Sequence, residues 1–408
     1  MSYKNFIRHG VISLGVAALL TACGGGSNSS SNTTGTSSST TGAITAFGSV
    51  FVNGKEIETG NASIYMEGKP AKESDLRVGM VVTVKEGNNG EASCINFDDE
   101  LEGIVVSNSI VAPATTGSMN IMGQVVNIDA NTIFESYVAS ITTYSDITPG
   151  NIVEVSGYSA GTGEVSATRI EVKADSLASY SGDVELKGVV SNHNATALTF
   201  DIGTLSVDYS GAVLDDITAI TDGMYVEVKS TSGLVSGVLI ASKVEHEDGG
   251  ACKTQKDEDD EFEVHGKVVA VTETSLTVDD YTFILDDKTE FEDGNKAAVK
   301  VGTMVEVEGY YNAENVLVAK KVEVEEHSSV SEFKGSIESV TSTGANEGTI
   351  KLTSGETFIV NSKTIMHDDS TSDIKQFNLT YLSQGDNVEI YAIDNGDGTY
   401  TAIKLERN

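Results

Sequence analysis

The chain has 408 residues, with 26 basic against 61 acidic side chains, a formal net charge of −35, three cysteines, three prolines and no tryptophan. Acid in this excess excludes nucleic acid as a partner, since holding a phosphate backbone takes cations that replace its counterions, and it disfavours anionic lipid surfaces. It does supply solubility and a diffuse atmosphere of weakly held divalent cations.

Lys4 and Arg8 precede the apolar run Val11 to Leu20, the layout of a signal peptide over residues 1–22 and too short to span a bilayer as a helix. The next residues, Leu20-Thr21-Ala22-Cys23, resemble the bacterial lipobox. That resemblance implies lipidation of Cys23 (palmitate among its acyl chains) and anchorage to a membrane. Gly24 in place of Asp after the cysteine implies, by likeness to Gram-negative lipoproteins, the outer membrane, with the body facing the periplasm or the cell surface. Cleavage removes Lys4 and Arg8 and no acid, so 24 basic residues would face 61 acidic ones, a net of −37. Residues 23–41, rich in Gly, Ser, Thr and Asn, cannot bury a core and read as a flexible leash.

From residue 42 a pattern repeats five times. Its openers are Gly42-Ala43-Ile44, Gly103-Ile104-Val105, Gly188-Val189-Val190, Gly266-Lys267-Val268 and Gly335-Ser336-Ile337. A second glycine, at Gly79, Gly150, Gly223, Gly302 and Gly385, begins a strand of alternating aliphatics, and Ala92, Ala167, Ala241, Ala319 and Ala402 begin the last. The openers are spaced too widely for a solenoid coil and too unevenly for propeller blades, so each repeat is a small domain. The modules read as 42–99, 100–176, 183–248, 263–326 and 333–408, with an acidic linker at 249–262. Tight joints elsewhere predict a beaded rod with one main flexible joint.

The fourth module reads most cleanly. Gly266–Val271, Ser275–Asp279 and Thr282–Leu285 are strands; a connection runs to Val301; then come a strand from Gly302 to Gly309 and another from Val316 to Val324. Alternation along them gives one buried and one wet face, with Val305 inward. A helical turn is expected before the fourth strand, as at Ser74–Val78 in the first module. The fold class is all-β: tandem small five-stranded antiparallel barrels of the oligonucleotide/oligosaccharide-binding (OB-like) type, since closure removes aggregation-prone edges. An open meander or a small sandwich is the alternative.

Phe47-Gly48-Ser49-Val50-Phe51-Val52-Asn53-Gly54 and Leu76-Arg77-Val78-Gly79-Met80-Val81-Val82, with the opener, resemble a bacterial family known only as domain of unknown function number 5666. The first and fourth modules fit its pattern best; the second and fifth carry insertions, and the third lacks the Val before its glycine. The resemblance implies tandem modules on exported proteins and lipoproteins, and no catalytic residue comes with it.

Chemistry is scarce. The histidines, His9, His193, His246, His265, His327 and His367, form no zinc-ligand spacing, and no nucleophile elbow or phosphate loop occurs. Carboxylate pairs abound, leaving a glycosidase pair open. His367-Asp368-Asp369 reads as a polar turn before a cation site. Asp394 and Asp397 are weak cation candidates in a segment that lacks the closing Glu of a calcium loop, so a turn explains them better and no dedicated metal site is expected. The pairs Asp215-Asp216, Asp286-Asp287 and Asp368-Asp369 read as a turn recurring after each third strand. Tyr310-Tyr311 is the best candidate for an exposed ring pair, although packing within its hairpin explains it better. Cys94 and Cys252 remain beside Cys23; they either pair or stay apart as a buried and a loop thiol. The expected function is non-enzymatic binding, adhesion or spacing at the cell envelope, without cofactor beyond weak divalent cations. The alternatives are a glycan-binding lipoprotein and, more remotely, an envelope hydrolase; the partner would be an envelope glycan or protein.

Overall fold

The computed structural model describes residues 38–87, 89–246, 252, 261–279, 281–292, 296–314, 316–324 and 330–408. The signal peptide, Cys23 and, apart from Cys252, Glu261 and Phe262, the acidic linker lie outside the described residues.

The chain is all-β and its modules are five-stranded barrels. In module four, Glu261–Val271 pairs antiparallel with Ser275–Val278, which pairs with Tyr281–Ile284. Glu261–Val271 also pairs with Met304–Tyr311, which pairs with Leu317–Val324. Phe283↔Leu317 and Ile284↔Val318 then join third and fifth strands in parallel and close the barrel. Modules two, three and five close the same way, through Val125↔Glu164, Ser206↔Val238 and Thr357↔Thr399. In module one the third strand is only Lys55–Ile57, and one backbone bond, from Ala92 N to Glu58 O, stands in that place. Val305 is fully buried, as the alternation requires.

Two glycines per module answer to two constraints. The second holds a φ between +85° and +99° in every module, a region L residues rarely adopt. It turns the chain so that its N–H bonds Ile44, Val105, Val190, Val268 or Ile337 O. A Cβ on opener Gly103 or Gly188 would collide with the side chain of Met122 or Ile202 in the neighbouring hairpin, so a side chain there would force that neighbour to move.

A sixth element escaped the sequence reading. Ser63–Met66, Ile133–Ser136, Val213–Asp215, Glu290–Phe291 and Ile365–Asp368 each pair in parallel with the last strand of their own module. A 3₁₀ turn, Glu73–Asp75 in module one, precedes the fourth strand where the helical turn is expected. The first strand begins at Ser38, so residues 38–41 are not leash. Ser39, Thr40 and Thr41 lie buried between Val81–Glu86 and Glu261–Val264, where the β-branched threonines suit a sheet.

The beaded rod is also corrected. The described residues all belong to one compact unit. Modules one and four share a sheet through the parallel ladder Ser38–Thr41 with Glu261–Val264, and modules two and three through Leu101–Glu102 with Glu185–Leu186. Module five docks through side chains. Asn346 and Asn378 donate to Phe47 O, Lys404 to Thr132 O, and Lys375 pairs with Glu135. The rod fails because the first strand of a barrel runs beyond its own second strand, as Ser38–Thr41 does, and the edge left free there pairs with another module.

Candidate functional site

Titratable groups converge where modules one, two and three meet. Directly opposed residues on neighbouring strands face the same side of a sheet. The ladders therefore lay out one row: Glu135, Glu171, Glu154, Glu102, Glu185, Lys229 and Lys243. Five carboxylates in succession would repel, and like charges opposed across strands destabilise a sheet. Cations interleave at both ends. Arg169, itself buried, bonds Glu135, Glu171 and the carbonyl of Val78 in module one. Lys173 bridges Glu171 and Glu154 at 2.7 Å each, and Lys229 reaches Glu185 at 2.6 Å and Glu227 at 2.8 Å.

The middle of the row is not compensated. Glu102, between Glu154 and Glu185, takes a hydrogen bond from the Tyr180 hydroxyl, while its Oε1 is buried with no partner. Asp99, only 2% exposed, has both carboxylate oxygens buried without a hydrogen bond. Glu67, on the hairpin of module one, accepts the Asp99 N–H. Oxygens of Glu67, Asp99 and Glu185 lie within 4.8 Å of one another, and so do those of Asp99, Glu102 and Glu154. Burial pushes the Glu67 carboxyl up to about 9 and that of Glu102 to about 7. Burial and then Glu185 push Asp99 well above the usual range. Glu171 goes the other way: burial raises it, but Arg169 and Lys173 outweigh that and hold it low. Oxygen donors alone make this a place for a hard cation, not for zinc or a redox metal.

A cleft beside this junction is lined from four modules, by Thr83 and Asp98, Glu100, Lys187 and Tyr225, and Tyr281 among others. It encloses about 100 Å³.

The residues singled out from the sequence are not gathered here. Asp394 Oδ1 caps Gly396 N and Asp397 Oδ1 caps Thr399 N, the bonds of a turn. Asp368 is clasped by Arg407 and two backbone N–H groups; burial opposes its ionisation, but these bonds hold its carboxyl at about 2. The three Asp pairs are not one recurring turn. Asp286 does cap a turn, whereas Asp215 and Asp368 end the sixth strand of their modules. The turn that recurs is Asp/Asn-x-x-Thr, with Thr132, Thr289 and Thr364 donating to the carbonyls of Ala167, Ala319 and Ala402. That spacing was visible in the sequence. Tyr310 and Tyr311 are not an exposed pair: Tyr311 is in the core and Lys320 stands over the Tyr310 ring at 5.6 Å.

Cys94 and Cys252 are joined in a disulfide, with Cα atoms 5.7 Å apart across 158 residues of sequence. The parallel ladder Ser38–Thr41 with Glu261–Val264 sets module four against module one, and the disulfide ties Cys252 of the linker to Cys94 on the last strand of module one.

Residues 102–171, 265–323 and 334–406 match the family model of a domain of unknown function (DUF5666). The chain thus carries repeated domains of that family. The matched segments are modules two, four and five. Module one, whose motifs fit the pattern best by eye with the fourth, is not among them, although it repeats their strand order apart from its third-to-fifth closure. No curated protein matches the sequence. A solved structure of drosophila Unr CSD456 aligns at 14% identity over 55% of this chain and 97% of that one, with a TM-score of 0.15, which carries no argument.

Proposed function

We propose that this protein is a lipid-anchored, non-enzymatic component of the cell envelope, a rigid body of fused β barrels that serves binding, adhesion or spacing. The observation that supports this most is the cleft at the four-module junction. Its roughly 100 Å³ falls well short of the ~300–1,000 Å³ typical of small-molecule sites. Lys229 of module three reaches Glu67 of module one at 3.9 Å, and Lys375 of module five pairs with Glu135 of module two, contacts that suit a structural joint. Cys23 supplies the anchor, Gly24 directs it to the outer membrane, and the strongly acidic body stays soluble beside it.

Palmitate labelling of cells expressing the wild type and Cys23→Ser tests the anchor; equal labelling would end that part of the reading. Purified protein screened on glycan and protein arrays tests the binding role. A glycan reading is favoured over protein only by two exposed rings, Tyr137 and Tyr381. Glycan capture lost in both Tyr→Ala variants would establish it. Turnover of peptidoglycan, polysaccharide or ester substrates, abolished by one carboxylate or serine change, would overturn the non-enzymatic reading.

A further inference from the structure

We propose that the junction of modules one, two and three is a dedicated divalent-cation site, of calcium type, centred on Asp99 and Glu102. The argument begins with oxygens that have nothing to bond. Both carboxylate oxygens of Asp99 and Oε1 of Glu102 are buried and unpartnered. A buried carboxylate without hydrogen bonds or a counter-charge is costly, and native structures satisfy nearly all such groups. Here three orphan oxygens come from two residues that straddle the module boundary, three positions apart in sequence, in a row already crowded with Glu154 and Glu185.

Geometry supplies the second step. Asp99 belongs to both close triads, one with Glu102 and Glu154 and one with Glu67 and Glu185. Ligand atoms no more than 4.8 Å apart fit around calcium, whose oxygens stand about 2.3–2.6 Å from the ion. Lys173 and Lys229 occupy oxygens of Glu154 and Glu185, so those residues can contribute only part of their capacity, while both oxygens of Asp99 and Oε1 of Glu102 are open. The ligands come from the hairpin of module one, the boundary segment, the fourth strand of module two and the first strand of module three. They exist together only in the folded assembly, so the ion would act as a clamp on it. This site does not depend on whether Cys23 carries lipid, and its location differs from the turn at Asp394 and Asp397.

The test uses the full chain purified in detergent and stripped with chelator. Calcium uptake is measured by equilibrium dialysis with radioactive Ca²⁺, and terbium luminescence is excited through tyrosine, Tyr180 being bonded to Glu102. Wild type should take up calcium stoichiometrically and keep it in about 0.5 M NaCl, where a diffuse ion atmosphere is screened away. Asp99→Asn should weaken uptake by at least about tenfold, as removal of a charged ligand does, while Asp397→Asn should leave it unchanged. Saturating calcium should raise the unfolding midpoint of wild type by about 3 °C and that of Asp99→Asn by much less. If Asp99→Asn does not fold, Glu102→Gln takes its place with the same expectation. No stoichiometric uptake by wild type, uptake abolished by salt, or equal uptake by the folded carboxamide variant would each overturn the proposal.

Discussion

Module four and the pair formed by modules two and three carry the same repeat, yet they bury it differently. The core of module four, from Phe262 to Val322, contains no residue of another module. In modules two and three a single apolar core runs from Leu101 to Val244 across the shared sheet, with Leu101 and Leu186 paired at the seam. The ion pairs differ in parallel. Lys321 in module four lies half-exposed between Glu292 and Glu323, whereas Arg169 in module two is buried between Glu135 and Glu171. A repeat therefore specifies a barrel but not its autonomy. Autonomy depends on whether the apolar core ends within one barrel or runs on into the next beneath the shared sheet.

The largest effects should come from charges placed in the two cores. Val305→Asp buries an unpaired carboxylate and should cost about 3–5 kcal/mol. Hydrogen exchange should then show protection lost over residues 261–324 and kept over 101–244. Leu186→Asp, at the seam, should instead lose protection in both modules two and three. Exchange that spreads from Val305→Asp into 101–244, or that stays within module three for Leu186→Asp, would erase the distinction drawn here.

Next in size is Arg169→Met. It leaves Glu135 and Glu171 buried without their shared cation, and breaking a buried pair from one side costs about 3–5 kcal/mol at the high end. Lys321→Ala, with the same nominal pairing at the surface, should change stability by less than about 1 kcal/mol. Denaturant midpoints of the two variants compare them directly.

A smaller, pH-dependent effect should mark the seam between modules five and two. Burial and then the cations Arg169, Lys404 and Lys375 hold the His367 imidazole down at about 4, against the opposing pull of Glu135. Between about pH 6.5, where an unfolded histidine protonates, and pH 4, the unfolded chain binds a proton there that the folded chain does not. Stability should fall with acidification across that window and recover above it. His367→Gln should flatten this limb of the stability–pH curve; an unchanged slope would remove His367 as its source. The smallest effect is expected at Asp397→Asn, with a denaturant midpoint equal to that of the wild type, because that carboxylate is exposed and serves only its own turn.

How much of this was legible in advance follows from where each residue finds its partners. Val305, the opener glycines and the strand-four glycines could be placed because their constraints lie within one module and recur five times. The sixth strand was not legible: it is two to four residues long, too short for alternation to register, and it pairs with a strand distant in sequence. Asp394 and Asp397 drew attention because acid is dense there, yet local backbone N–H groups already satisfy them. Cys94 and Cys252 could be named but not joined, since only the ladder between modules one and four brings them together.

By itself, then, the chain determined its five barrels, because period-2 alternation and two glycines per repeat admit one local solution for the core. Glu102, Glu154 and Glu185 occupy the polar positions of their strands, which alternation assigns to water. Only the tertiary structure turned those wet faces inward, because strand Leu101–Asn108 of module two and strand Val184–Asn194 of module three share a ladder and module one closes over it. Burial and charge at that joint arise between modules, and no pattern read along a single strand contains them.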